Sequence, residues 1–408
     1  MNGCKSVLVF LICALVIIQL CPGKLLASEV EQNITSVTSQ SGSQSQSSEL
    51  SSLIDVQMYN RSIHIMAMLL VGFGFLMVFV KKYGRSALTA TYLLVSVAIP
   101  LYFMLSSLGV FGPSKSVDIE KLILAEFAAA SLLICAGAVL GRLKMIQYII
   151  LGVFFILCYM LNEWIVLGGG LGLLKSGFVD TGGSIVIHAF GALFGLGIIT
   201  AMTNKKEFDE LIETDAASDR FSMVGSMVLW LFWPSFCAAL VAPKQIPFTA
   251  VNVVLALCGA TLATYFSSII FRKGKISIAD IANATLAGGV AIGSTCDSAS
   301  HPTAFVIGIL SGVLSVFGFA VIQSKLQKKL KCVDTCGVLN LHGWPGLMGG
   351  IAAVFVVNNI NKFVQFKGIV ISIAVAIVTG FITGKILLSF GRRTNSYIDS
   401  EEFADAEA

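Results

Sequence analysis

Eleven apolar runs, most of them close to twenty residues long, follow one another between Ile63 and Phe390. A run of about twenty residues crosses the ~30 Å hydrocarbon core as a helix, and in lipid only helices or closed barrels satisfy every backbone N–H and C=O. The runs are continuous rather than alternating. They predict an all-α polytopic membrane protein, with spans near Ile63–Val80, Ala87–Leu105, Leu122–Leu140, Ile146–Leu167, Gly182–Met202, Phe221–Val241, Ala250–Phe271, Ile278–Thr295, Pro302–Val321, Gly337–Val357 and Gly368–Phe390. Composition agrees. Charged residues are 12% of the chain and hydrophobic ones 56%, about half the charge of a soluble domain. That is too little polar surface to wet a globule, which excludes a soluble enzyme, a nucleic-acid binder and a disordered chain. The net charge of +4 implies no nucleic-acid partner.

Ahead of these spans, residues 1–27 hold an apolar run behind Lys5 and fit a signal peptide or an additional first span. Residues 28–60 are rich in Ser, Gln and Glu and read as an extracellular polar loop. Asn33 opens a glycosylation sequon inside it, and Asn60 opens a second one close to the membrane. Basic residues gather in alternate loops: Lys81, Lys82 and Arg85, then Arg142 and Lys144, then Lys205, Lys206 and Arg220, with later groups at 272–275, 325–331 and 392–393. The positive-inside rule makes that side, and the C-terminus, cytoplasmic. Residues 61–391 form the membrane domain. The tail over 392–408 carries acids near its end and reads as solvated.

The chain contains an internal repeat. Asp180-Thr181-x-Gly183 precedes His188 by eight residues, and Asp334-Thr335-x-Gly337 precedes His342 by the same eight. Leu193-x-Gly195 and Leu347-x-Gly349 continue the match. His188 falls in the fifth span and His342 in the tenth. Each unit therefore has five spans, an odd number, and the second enters the membrane from the opposite face. Two inverted five-helix repeats plus one long helix follow, and such repeats place their sites near the midplane.

His188 and His342 are each embedded in a Gly-rich apolar helix, and an ionisable side chain there is a functional candidate. A packing histidine is the bland reading for one such residue. Two at repeat-equivalent positions favour a pore. If the rings share a hydrogen bond, two polar edges remain for a small polar solute, too few to replace the hydration shell of an ion. Without carboxylate or thiolate ligands beside the rings the pair is a poor metal site, and no cofactor is implied. Asp180 and Asp334 precede Thr and Gly at a helix start and read as structural caps accepting backbone N–H bonds. Glu126, Glu163 and Asp219 are candidates for pore vestibules.

These residues resemble the Rhesus (Rh) glycoprotein branch of the ammonium transporter superfamily. The strings that carry the resemblance are Val71-Gly-Phe-Gly-Phe-Leu-Met77, Asp180-Thr-Gly-Gly-Ser184 with His188-Ala-Phe-Gly191, Trp233-Pro-Ser-Phe236, Asn283-Ala-Thr-Leu-Ala-Gly-Gly-Val290, and Asp334-Thr-Cys-Gly337 with Asn340-Leu-His342-Gly343. The resemblance implies a homotrimer in the plasma membrane with one pore per subunit. It implies twin pore histidines, here His188 and His342. Paired phenylalanines, here Phe127 and Phe236, would gate the outer entrance, and Asp180 and Asp334 would hold the architecture around the histidines. The solute would be ammonia released from ammonium at the entrance, with methylamine and carbon dioxide as further candidates. Three features depart from the pattern: Cys237 stands where Asn is usual, Glu126 stands where Asp is common, and a Gly-rich stretch from Gly168 to Gly172 lengthens the segment between Glu163 and Asp180. Leu240 stands where bacterial-type transporters carry a cation-recruiting Ser, which favours the Rh branch and weaker cation capture.

Other readings share the fold. A carbon dioxide channel would use the same pore. An ammonium sensor would bind a cytoplasmic partner through the tail. An intramembrane hydrolase lacks a nucleophile motif, so no enzyme is expected.

Overall fold

The computed structural model describes residues 41–112, 116–174 and 177–404, with side chains from Leu50 onward. Asn33 and residues 1–27 lie outside the described residues. Contacts group the chain into two units, of which the first contributes described residues 41–54, all helical, and the second is Asp55–Ala408.

Among the described residues no strand occurs, and nine helices are long and apolar enough to cross a membrane. We label the segments α1 (Leu50–Phe79), α2 (Gly84–Ser107), α3 (Asp118–Val139), α4 (Met145–Val166), α5 (Ser184–Met202), α6 (Ala216–Cys237), α7 (Pro243–Phe271), α8, α9 (His301–Leu330), α10 (Leu339–Val356) and α11 (Lys362–Ser389). Two of the eleven fall outside the nine. α6 begins with the polar stretch Ala216–Arg220. α8 is broken into Ile278–Ala284, Ala287–Ile292 and a tight turn at Gly293–Thr295.

The repeat expected from the sequence organises the packing. α1 packs on α6, the first helix of each unit. α2 packs on α4 as α7 packs on α9, and α3 lies against α5 as α8 lies against α10. The inner helices are small-residue rich. α3 is buried without a break from Ala125 to Val139, and its Ala128-Ala129-Ala130-Ser131 run lets neighbours approach closely. Gly225 shows the demand at the α1–α6 crossing, where a Cβ would lie 2.5 Å from the Gly72 carbonyl oxygen.

Two expectations need correction. Residues 41–60 are helical, part of a helix that runs from Ser41 to Ala67, and not a loop. No proline interrupts them, and a span that is already nucleated extends at little cost into polar sequence. The tail is folded rather than solvated up to Ala404. Asp399 accepts hydrogen bonds from the Arg85 and Ser86 N–H groups at 3.0 and 2.8 Å, capping α2 from outside. Tyr397 lies on Gly141, whose φ of +81° leaves no room for a Cβ against that ring. The buried Arg393 guanidinium donates to the Leu143 and Ile398 carbonyls and pairs with Glu401 and Glu402. A charge count treats these acids as exposed. Folding brings them to an arginine and a helix start.

Candidate functional site

Both histidines are positioned by the same local device. A glycine with positive φ, Gly183 at +74° and Gly337 at +68°, turns the chain into a helix. The Asp three residues earlier then accepts from the first turn. Asp180 takes the Ile185 and Val186 N–H groups, the latter at 2.7 Å, and Asp334 takes those of Val338 and Leu339 at 3.0 and 3.1 Å. The helix that follows opens with a wide π-helical turn, Ser184–Ala189 in one unit and Leu339–Gly343 in the other. His188 and His342 sit in those turns. The docking of the two Asp loops is also equivalent. Gly182 N–H donates to the Gly293 carbonyl at the end of α8, while Cys336 N–H donates to the Gly137 carbonyl near the end of α3. Ser294 adds a 2.5 Å hydrogen bond to Asp180. Each carboxylate therefore accepts from the backbone N–H groups that open its own helix.

The two rings meet between the halves. Nδ1 of His188 is 3.3 Å from Nδ1 of His342, and the rings are 13° from parallel. If both are neutral, this contact fixes their tautomers relative to each other. One ring carries its hydrogen on Nδ1 and donates it, and the other must carry its hydrogen on Nε2. The pair then presents one Nε2–H donor and one bare Nε2 acceptor. His188 Nε2 is buried and has no hydrogen-bond partner among the described residues.

An aromatic column extends the pair in both directions. Phe127 and Phe236 lie 4.6 Å apart between centroids with their planes tilted by 47°, both buried. Phe236 lies 6.1 Å from His188, and the Trp233 indole stacks on His188 at 5.5 Å. On the other side Phe73 lies 6.3 Å from His342. Beyond it opens a cavity of about 450 Å³ toward the basic loops, reaching His342, Phe73, Asn283, Gln323 and Asp219.

The vestibule candidates separate. Asp219 lines this cavity. Glu126 is fully buried and accepts a 2.5 Å hydrogen bond from Ser62. Glu163 accepts one from the Tyr102 hydroxyl at 2.6 Å. Phe73 and Trp233 were not singled out from the sequence, although both stand in the strings quoted above. Their contact with a histidine is the signal, and it is visible only in three dimensions. His64 stacks on Phe232 and hydrogen-bonds Ser235, and the exposed His301 hydrogen-bonds Asn252 at 2.7 Å.

Helices in two inverted repeats, meeting at a buried aromatic and imidazole column that ends in a cavity, define a membrane channel or transporter of inverted-repeat type. The profile of the Ammonium Transporter Family matches residues 32–401. Ammonium transporter Rh type A from Bos taurus is 37% identical over 340 residues, covering 80% of this chain and 78% of that protein. Ammonium transporter Rh type C from Xenopus tropicalis is 35% identical over 332 residues, covering 76% and 68%. The solved structure described as Nitrosomonas europaea Rh50, from work on conduction by the Rhesus protein family of channels, superposes with a TM-score of 0.85 at 53% identity, over 88% of this chain and 94% of that one. A sensor Amt protein shares the fold alone, with a TM-score of 0.74 at 18% identity. The chain belongs to the ammonium transporter family.

Proposed function

We propose that this protein is a membrane channel that conducts ammonia as the neutral molecule. The observation that carries the reading is the buried column of aromatic and imidazole rings from Phe127 and Phe236 through His188 and His342 to Phe73. Removing a proton at pH 7 from an amine of pKa about 9–10 costs roughly 3–4 kcal/mol. Carrying a bare cation through apolar surroundings costs tens of kcal/mol by the Born estimate. Deprotonation at the entrance is the cheaper route. Ammonia offers N–H donors and one lone pair, and the tautomer argument gives the histidine pair one acceptor and one donor to meet them.

In this reading Phe127 and Phe236 gate the pore and His188 and His342 line it, while Asp180 and Asp334 hold the helix starts beneath them. Asp219 faces the cavity where the proton is regained. Glu126 and Glu163 shape the opposite end through Ser62 and Tyr102. Three copies form a trimer in the plasma membrane, with the basic loops and the C-terminus cytoplasmic. The test uses proteoliposomes holding a pH dye under an ammonium chloride gradient, with membrane potential clamped and current recorded. Internal alkalinisation faster than in empty liposomes, with no current, supports the proposal. Inward current without extra alkalinisation replaces it by a charged pathway, because the proton then crosses with the ammonia, and the absence of both effects removes it.

A further inference from the structure

We propose that the basic end of α9 binds an anionic phospholipid of the adjacent leaflet. α9 runs 30 residues, about 45 Å, which exceeds the ~30 Å hydrocarbon core. Its apolar sequence ends at Ile322, and Gln323 begins a polar end rich in lysine. Phe317, Val321, Lys325 and Lys329 follow at four-residue intervals and share one helix face. With Ile322 and Leu326 they line a surface groove of about 280 Å³. The groove is apolar over its first turns and carries two ammonium groups over its last. It changes character at the depth where a phospholipid changes from acyl chain to phosphate.

Charge selects the headgroup. Lys325 and Lys329 are exposed, and neither forms an ion pair among the described residues. Lys328, Lys331, Lys273 and Lys275 add further exposed positive charge on this side. The Phe271–Phe317 contact at 5.6 Å brings the end of α7, and with it Lys273, to the apolar floor of the groove. Asp280 does not offset the cluster, because Arg272 already pairs with it at 2.8 Å. An acidic peptide would satisfy the lysines but not the apolar floor at Phe317 and Val321. A phospholipid satisfies both. The site is separate from the pore and independent of which solute crosses it.

The test titrates the purified full chain in detergent with dioleoyl phosphatidylserine or dioleoyl phosphatidylcholine and counts bound lipid by native mass spectrometry. Each lysine near an anionic surface contributes about fivefold in affinity. The first phosphatidylserine is therefore expected to bind about tenfold or more tighter than phosphatidylcholine, with the preference lost in K325Q/K329Q. V321W, which fills the groove and leaves the charge intact, is expected to weaken phosphatidylserine binding as well. K82Q/K205Q, an equal loss of charge elsewhere on the basic side, is expected to change neither. Equal losses from K82Q/K205Q and K325Q/K329Q would overturn the site in favour of diffuse attraction. Unchanged binding in K325Q/K329Q would overturn it outright. A changed oligomeric mass in V321W with unchanged lipid binding would assign the groove to a second copy of the chain and overturn it too.

Discussion

Nδ1 of His188 lies 3.3 Å from Nδ1 of His342, although 154 residues separate them in the chain. The contact joins the two repeats at equivalent positions and makes them chemically unequal, because only one ring can donate the shared hydrogen. A symmetric pair of helices thereby carries an asymmetric pair of polar edges.

Replacing both histidines with Ala removes those edges and leaves an apolar lumen. Each hydrogen bond is worth about 0.5–1.5 kcal/mol net, so the double variant should lose roughly tenfold in ammonia flux or change its selectivity. Assembly should persist, because neither ring caps a helix. Proteoliposome flux together with size-exclusion elution checks this, and unchanged transport would remove the histidines from the mechanism.

The Asp334 carboxylate accepts from Val338 and Leu339 and leaves these N–H groups without a partner when it is deleted. Asp334→Ala should destabilise the protein by about 1–3 kcal/mol, the cost of unsatisfied buried donors. Asp334→Asn keeps one acceptor oxygen and should recover part of the loss. Thermal unfolding in detergent orders the two variants, and equal melting temperatures would count against a capping role.

Gly225 lets α6 approach α1, with the Gly72 carbonyl oxygen 2.5 Å from where a Cβ would stand. Since the obstacle is backbone and cannot rotate away, Gly225→Ala must separate the two helices. A loss of about 1–3 kcal/mol is expected from overpacking. Alanine at Gly172, where no atom lies within 4 Å, meets only its own φ of +63°. It should cost less, and denaturation midpoints compare the two.

Asp399 accepts from the first N–H groups of α2 from more than 300 residues away. Asp399→Ala should cost about 0.5–2 kcal/mol, as for loss of a helix cap, and should speed amide exchange at Arg85 and Ser86. Deleting residues 395–408 should do the same while leaving conduction measurable. If the deletion abolished a signalling output and left α2 exchange unchanged, the tail would serve a partner and not the fold.

What could be read ahead of folding follows from period and repetition. Apolar runs locate the spans because lipid imposes one length and one backbone solution. Asp-Thr-x-Gly before a histidine was legible because the turn needs Gly at positive φ and a short acceptor three residues earlier, a purely local demand. The break in α8 was not legible. Ile278–Thr295 has the composition of a span, and its division at Thr285 and Gly293 depends on docking of the Asp180 loop and of Trp233 against it, with Gly289 lying under the indole. Phe73 and Trp233 were hidden for the same reason, as two aromatics among 28 Phe and 4 Trp residues. Nothing local separates a ring that packs on lipid from one that stacks on an imidazole.

The tail marks the other limit. Its acids read as solvated because sequence charge is counted without partners, and only the fold brings Glu401 and Glu402 to Arg393 and Asp399 to α2. Membrane habit, the two inverted units and the equivalence of His188 with His342 are legible in the chain, because hydrophobic length and local turn chemistry act over a few residues. The tertiary structure decided that the two rings touch, that aromatics continue them into a column, and that Asp219 rather than Glu126 faces the cavity. Those are relations between helices, fixed by close packing at glycine and alanine crossings, and no single segment contains them.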